Sequence, residues 1–213
     1  MKWRPVWALY GLLAIGAALA GVWVARHASL QGEAHAPELA SGTWLPVARQ
    51  IGDFTLKDQT GAALTAAQLR GAPTLVFFGY THCPDVCPTT LFTLAQVRRA
   101  LGAAAPRVLF VSVDPARDTP SQLAQYVSAF DPQFMAASGE PAELARVAAQ
   151  FGVAYLRVDL PGGDYTMDHT AALFLLDAQV RNVAIFTPPF DAQRLAQDLR
   201  RVAFMNGFGG TGG

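Results

Sequence analysis

From Asp53 onward the chain alternates short apolar runs with stretches in which apolar residues recur at helical spacing, the pattern of a layered α/β domain. Thr74–Tyr80 (TLVFFGY) is nearly all apolar and suits a central strand buried on both faces. Arg107–Val113 repeats that character, and Ala171–Leu176 and Val183–Phe186 read as two further strands, so a four-stranded sheet is predicted. Asp53–Leu64 reads as a small hairpin with Gly61 in its turn. Between the strands, Leu123, Tyr126, Val127 and Phe130 stripe one helix, and Leu144, Val147, Ala148 and Phe151 stripe a second. Leu195, Leu199 and Val202 stripe a last one. Thr119 before Pro120, with Gln122 three residues on, predicts a capping-box start for the first of these helices. Pro88 opens a further predicted helix through Leu91, Leu94 and Ala95 that ends at Gly102.

The N-terminus obeys a different pattern. Val6–Ala25 is 20 residues without a charge, and 20 helical residues match a bilayer core of about 30 Å. Lys2 and Arg4 precede it, which predicts a cytoplasmic N-terminus and an exported remainder. An uncleaved single-pass anchor is favoured over a cleaved signal peptide, whose apolar core is shorter. The absence of an Arg- and Ser-rich transit sequence favours a bacterial inner membrane, with the C-terminal domain facing the periplasm. The expected organisation is therefore an anchor over residues 1–26, a tether over 27–48, a domain over 49–205 and a glycine-rich flexible tail over 206–213. The 16 basic and 16 acidic residues cancel, so the chain lacks the basic excess that a nucleic-acid partner rewards.

Two cysteines, Cys83 and Cys87, lie between the first central strand and the start of the helix after it. One helical turn brings both sulfurs of a C-x3-C pair to one face. A helix N-terminus stabilises thiolate, the form that binds metal or attacks a disulfide. A passive staple across three residues removes little chain entropy, and C-x-x-C exchange pairs have one residue fewer between the sulfurs. Four histidines accompany them. His27 and His35 fall in the tether and read as solvated. His82 abuts Cys83 as either a turn residue or a tuning neighbour. His169 ends DYTMDH just before the strand Ala171–Leu176, where it can face the cysteine loop or serve the structure alone.

GYTHCPDVCP (Gly79–Pro88), DPARDTP (Asp114–Pro120) and DYTMDHT (Asp164–Thr170) agree in order and spacing. With the apolar N-terminus, they make the chain resemble the Sco/SenC family of membrane-anchored copper-binding proteins from Gly52 to about Val202. The resemblance implies a thioredoxin-like α/β fold, a central mixed sheet flanked by helices. It also implies copper held by Cys83, Cys87 and His169, and a role in building the dinuclear copper centre of cytochrome c oxidase subunit II. Two thiolates and one imidazole form a soft, incomplete shell that suits one Cu(I) and its release by ligand exchange, whereas Cu(II) wants a fourth donor. Asp85 and Asp168 are the carboxylates placed to orient the imidazole or to reach Cu(II). Met167 borders His169 as a further soft donor, at a position where the family more often carries an aliphatic residue. Within DPARDTP, Asp114, Arg117 and Asp118 are expected to form a turn with an internal ion pair. The competing function is a membrane-anchored thiol-disulfide oxidoreductase that reduces the oxidase cysteines, with Cys83 and Cys87 cycling as the redox pair. Other copper chaperones and thiol reductants are the remaining expected partners.

Overall fold

The computed structural model describes residues 10, 13–23 and 38–205, in two compact units over 1–36 and 37–213. In the first unit residues 10 and 13–23 are helical; the remainder of the expected anchor Val6–Ala25 lies outside the described residues, as do His27, His35 and the glycine-rich tail. Among the described residues no helix is long and apolar enough to cross a membrane.

The second unit is built on an eight-stranded mixed sheet. In chain order its strands are β1 (Gly42–Gln50), β2 (Thr55–Asp58), β3 (Ala63–Thr65), β4 (Thr74–Gly79), β5 (Arg107–Ser112), β6 (Met135–Ser138), β9 (Leu173–Leu176) and β10 (Arg181–Phe186). They lie side by side as β1-β10-β9-β4-β5-β6-β2-β3. β4, β5 and β6 run parallel, and the other pairings are antiparallel. The parallel pairs are joined through helices: α1 (Val86–Leu101) links β4 to β5, and α2 (Pro120–Ser128) links β5 to β6. After β6 come α3 (Pro141–Phe151), a separate two-stranded hairpin of β7 (Tyr155–Asp159) and β8 (Tyr165–His169), and finally α4 (Ala192–Met205) after β10. α1 packs against α4, α2 against β6 and α3 against β2.

Every residue of β4 is buried, as its apolar run demands of a strand with neighbours on both sides. The predicted stripes face inward: Leu123 and Val127, Leu144, Val147, Ala148 and Phe151, and Leu195, Leu199 and Val202 are all buried. Phe78, Phe151 and Phe174 meet edge to face, with ring centroids 5.2, 5.3 and 6.1 Å apart. The capping box forms as read, with Thr119 accepting from Gln122 N at 3.3 Å and Thr119 N donating to Gln122 Oε1 at 3.0 Å. α1 begins at Val86, two residues before Pro88, and ends at Gly102, whose φ of 56° suits glycine.

Four strands, β1, β6, β7 and β8, lie outside the four strands and the hairpin that the sequence predicts. β1 starts at Gly42, inside the stretch read as tether; Pro46 and the irregular register between Trp44 and Arg49 hide its period, and both are tolerated because the strand lies at the sheet edge. β6 is four residues of mostly small side chains, too short to show alternation. The β7–β8 hairpin turns at Gly162 and Gly163, both at positive φ, and carries many polar residues because much of it faces solvent. His169 is thus the last residue of a strand of its own, ahead of the predicted strand Ala171–Leu176.

Candidate metal centre

The site forms where the buried strand β4 runs out. Gly79 is its last residue, and a Cβ there would stand 2.7 Å from Cys87 Sγ and 2.7 Å from the Phe110 ring. Only a residue without a side chain lets the sulfur close against the strand. The chain then turns, with Cys83 N donating to Tyr80 O at 3.3 Å, and enters α1. Cys87 lies in the first turn of that helix, and its backbone N–H donates to Cys83 Sγ at 3.4 Å. The sulfur thereby takes up one of the donors a helix start leaves unpaired, a task the Asp85 side chain does not perform. The C-x3-C spacing does bring both sulfurs together.

β8 delivers the third group. His169 Nε2 lies 3.4 Å from Cys87 Sγ, and one donor atom from each of Cys83, Cys87 and His169 falls within 4.8 Å of the others. Phe77 and Tyr80 meet the imidazole edge-on at 6.1 and 6.0 Å, so aromatic walls fix the ring. Both cysteines are free thiols, Cys87 fully buried and Cys83 8% exposed, while His169 is half-buried. The cluster is open on one side, in a concavity lined among others by Pro84, Asp85, Thr166, Met167 and Asp168.

The two thiols are electrostatically unlike. Cys83 is held down to a pKa of about 3, first by the hydrogen bond from the Cys87 thiol, which outweighs the cost of burial, then by His169 and the N–H groups of Asp85 and Cys87. Cys87 is pushed strongly upward by the same hydrogen bond, by burial and by the charge on Cys83. The shared hydrogen bond thus favours charge on Cys83 and the proton on Cys87, and a cation bound to both sulfurs displaces that proton. Two thiolates and a neutral imidazole offer soft donors to Cu(I) and also satisfy Zn(II) in part.

The expected orienting carboxylates do not orient the ring. His169 Nδ1 lies 3.4 Å from the Thr170 carbonyl, and neither Asp85 nor Asp168 hydrogen-bonds the imidazole among the described residues. Asp85 instead accepts from Thr89 Oγ1 at 3.3 Å, because it sits at the helix start, and Asp168 is exposed because the strand alternates. That same alternation turns Met167 inward beside His169, buried and lining the concavity. His82 points elsewhere: its Nδ1 is 3.1 Å from Thr81 Oγ1 and 3.6 Å from Asp118 Oδ1, with the side chain 46% exposed. The ion pair expected in DPARDTP is present, Arg117 Nε to Asp114 Oδ2 at 2.6 Å, whereas Asp118 turns away from it. Gly79, Phe77, Tyr80 and the Thr170 carbonyl are site residues that sequence reasoning did not single out. A glycine closing a buried apolar strand was the one signal available for any of them.

Comparison with known proteins supports the same grouping. The model of the family described as SCO1/SenC matches residues 45–203. A mitochondrial SCO2 homolog of Bos taurus is 33% identical over 192 residues, covering 88% of this chain and 71% of that protein. A SCO2-like protein of Rickettsia felis is 37% identical over 131 residues, or 60% of this chain and 64% of its own length. Among solved structures, Bradyrhizobium japonicum ScoI with copper bound is 48% identical with a TM-score of 0.66, covering 71% of this chain and 98% of that one. The match spans the cysteine loop, the DPARDTP loop and the His169 hairpin together, and the chain belongs to the SCO1/SenC family.

Proposed function

We propose that this chain is a copper carrier in the assembly of cytochrome c oxidase, binding one Cu(I) through Cys83, Cys87 and His169 and passing it to the dinuclear copper site of subunit II. The observation that carries the reading is the convergence of two sulfurs and one imidazole nitrogen within 4.8 Å at an open concavity. Its relatives support it: the similar ScoI was solved with copper bound, and a structure of another relative describes the Sco family as cytochrome c oxidase assembly proteins. Capture of Cu(I) converts the Cys83 thiolate and the Cys87 thiol to a dithiolate, with the Cys87 proton released and the imidazole lone pair as third donor. A three-coordinate shell leaves room for an incoming thiolate of the recipient, so the ion leaves by stepwise ligand exchange and never stands free. In this reading the apolar run Val6–Ala25 tethers the domain at the periplasmic face of the inner membrane, beside an oxidase subunit.

The test is Cu(I) stoichiometry under anaerobic conditions on the reduced protein, alongside Cys83→Ala, Cys87→Ala and His169→Ala variants. One copper per chain, with tight binding lost in every variant, is expected; unchanged affinity in His169→Ala would overturn the three-donor site.

One observation favours a second activity for the same residues. A charged, slightly accessible Cys83 beside a buried, protonated Cys87 is the asymmetry of an attacking and a resolving thiol. Attack of the Cys83 thiolate on a partner disulfide expels the first partner sulfur as thiolate, and closure of Cys83–Cys87 expels the second, which takes the Cys87 proton, so the partner leaves reduced as one thiolate and one thiol. His169→Ala retains this exchange while losing copper, which separates the two activities.

A further inference from the structure

The DPARDTP loop supplies no donor to the Cys83, Cys87 and His169 cluster, yet it touches both elements that do. Asp118 is buried, and its carboxylate accepts from Thr81 N at 2.9 Å, Thr81 Oγ1 at 2.6 Å and Ser112 Oγ at 2.5 Å. Thr81 is two residues before Cys83, so this carboxylate ties the cysteine loop to the end of β5. Arg117 reaches the opposite way. Its Nε meets Asp114 Oδ2 at 2.6 Å, and its Nη1 donates to Tyr165 O at 2.9 Å and to Asp164 Oδ1 at 3.3 Å. Its guanidinium stands 3.6 Å from the centre of the Tyr165 ring and 5.8 Å from that of Tyr80. Asp114, 3% exposed, also accepts from Tyr165 Oη at 2.8 Å. Tyr165 opens the strand that His169 closes, and that strand pairs with β7 and not with the main sheet. A loop that merely held its own turn would satisfy these charges internally. Here adjacent residues divide them between the two ligand-bearing elements.

We propose that DPARDTP is a bracket that sets the imidazole against the thiolates before copper arrives: Arg117 with Asp114 is the positioning pair for His169, and Asp118 the positioning residue for Cys83. The inference rests on the copper-binding reading above. Groups that orient metal ligands are worth about 10- to 100-fold in metal affinity when removed.

The two arms predict opposite patterns in a double-mutant test on the full chain, read by anaerobic Cu(I) competition with a chromophoric chelator. Arg117→Ala weakens Cu(I) binding about 10-fold or more in the wild-type background and has no further effect in a His169→Ala background, because it acts through that imidazole. Asp118→Asn weakens binding in both backgrounds, because it acts through the cysteine loop. Equal losses from Arg117→Ala in the two backgrounds, or none in the wild type, would overturn the bracket while leaving the copper site standing. The His169 ring resonances of the copper-free protein give a readout that needs no copper at all. They shift or broaden in Arg117→Ala and hold their place in Asp118→Asn; unmoved resonances in Arg117→Ala reject the bracket even if the protein binds no copper. Should Arg117→Ala fail to fold, Arg117→Lys serves instead, keeping the charge but losing the planar contact with Tyr165.

Discussion

The two halves of the cluster are held in different ways. Cys83 and Cys87 sit at the junction of a fully buried strand and the helix that follows it, with a glycine giving way to one sulfur. His169 arrives on a two-stranded hairpin outside the main sheet, fastened by side chains: Tyr165 to Asp114, Arg117 to Tyr165, and Tyr80 Oη to Thr166 Oγ1 at 2.7 Å. Local stability scales with buried apolar contact, so the thiol half opens only when the core opens, while the imidazole half can open alone. In the copper-carrier reading proposed above, that inequality would let two sulfurs stay in place and retain the ion while the third donor yields to the recipient.

The largest contrast is in the chemistry of the thiol half. An ordinary thiol has a pKa near 8.5, and its alkylation rate rises roughly tenfold per pH unit, about a thousandfold from pH 5 to pH 8. Cys83, held at about 3, lies below that whole range and is thiolate throughout. Iodoacetamide labelling of the copper-free protein at Cys83, followed by mass spectrometry, is therefore expected to be nearly flat from pH 5 to pH 8. A tenfold rise per unit would show that the Cys87 proton is not shared as the geometry implies. Next comes removal of a sulfur. Structural metal sites of four donors are worth about 10 to 16 kcal/mol, or about 3 kcal/mol per donor, so Cys87→Ser is expected to weaken Cu(I) binding by about 100-fold or more. The same chelator competition measures it.

How much of this was legible in the sequence follows the same division. The thiol half announces itself: β4 is a continuous apolar run, the cysteines lie one helical turn apart, and Pro88 and Gly102 bracket the helix close to where it forms. Local rules suffice there because burial dictates the residue types. The hairpin half left weak local signals. Tyr155–Asp159 and Tyr165–His169 carry mixed polarity because solvent covers much of them, so neither shows a clean period of two. Asp85 and Asp168 looked like orienting carboxylates by proximity in sequence; both line the open concavity, but neither hydrogen-bonds the imidazole among the described residues. The rings that do pack on the imidazole, Phe77 and Tyr80, are set by tertiary contacts that no spacing rule reaches, and the Thr170 carbonyl beside its Nδ1 is set by the local path of the chain.

The close approach at Gly79 gives a third, smaller effect on the thiol half. In Gly79→Ala the added carbon meets Cys87 Sγ and Phe110 at contact distances that real structures do not hold, so one of them must move. Overpacking of this kind costs about 1 to 3 kcal/mol, and in a domain of this size each kcal/mol lowers Tm by about 2 to 4 °C. Thermal melting of the copper-free variant measures it, and an unchanged Tm would mean that the strand end is looser than its burial suggests.

The smallest effect sharpens the comparison most. Tyr165→Phe keeps the ring against which Arg117 and Arg157 stand, 3.6 and 3.8 Å from its centre, and removes only the hydrogen bond to Asp114. One such bond contributes about 1 kcal/mol net, which corresponds to about a fivefold change in an opening equilibrium. If the hairpin opens independently of the core, amide exchange across β7 and β8 accelerates by about that factor while exchange in β4 and β5 is unchanged. If both regions accelerate together, the two halves share one opening event, and the imidazole cannot yield to a recipient before the thiolates do.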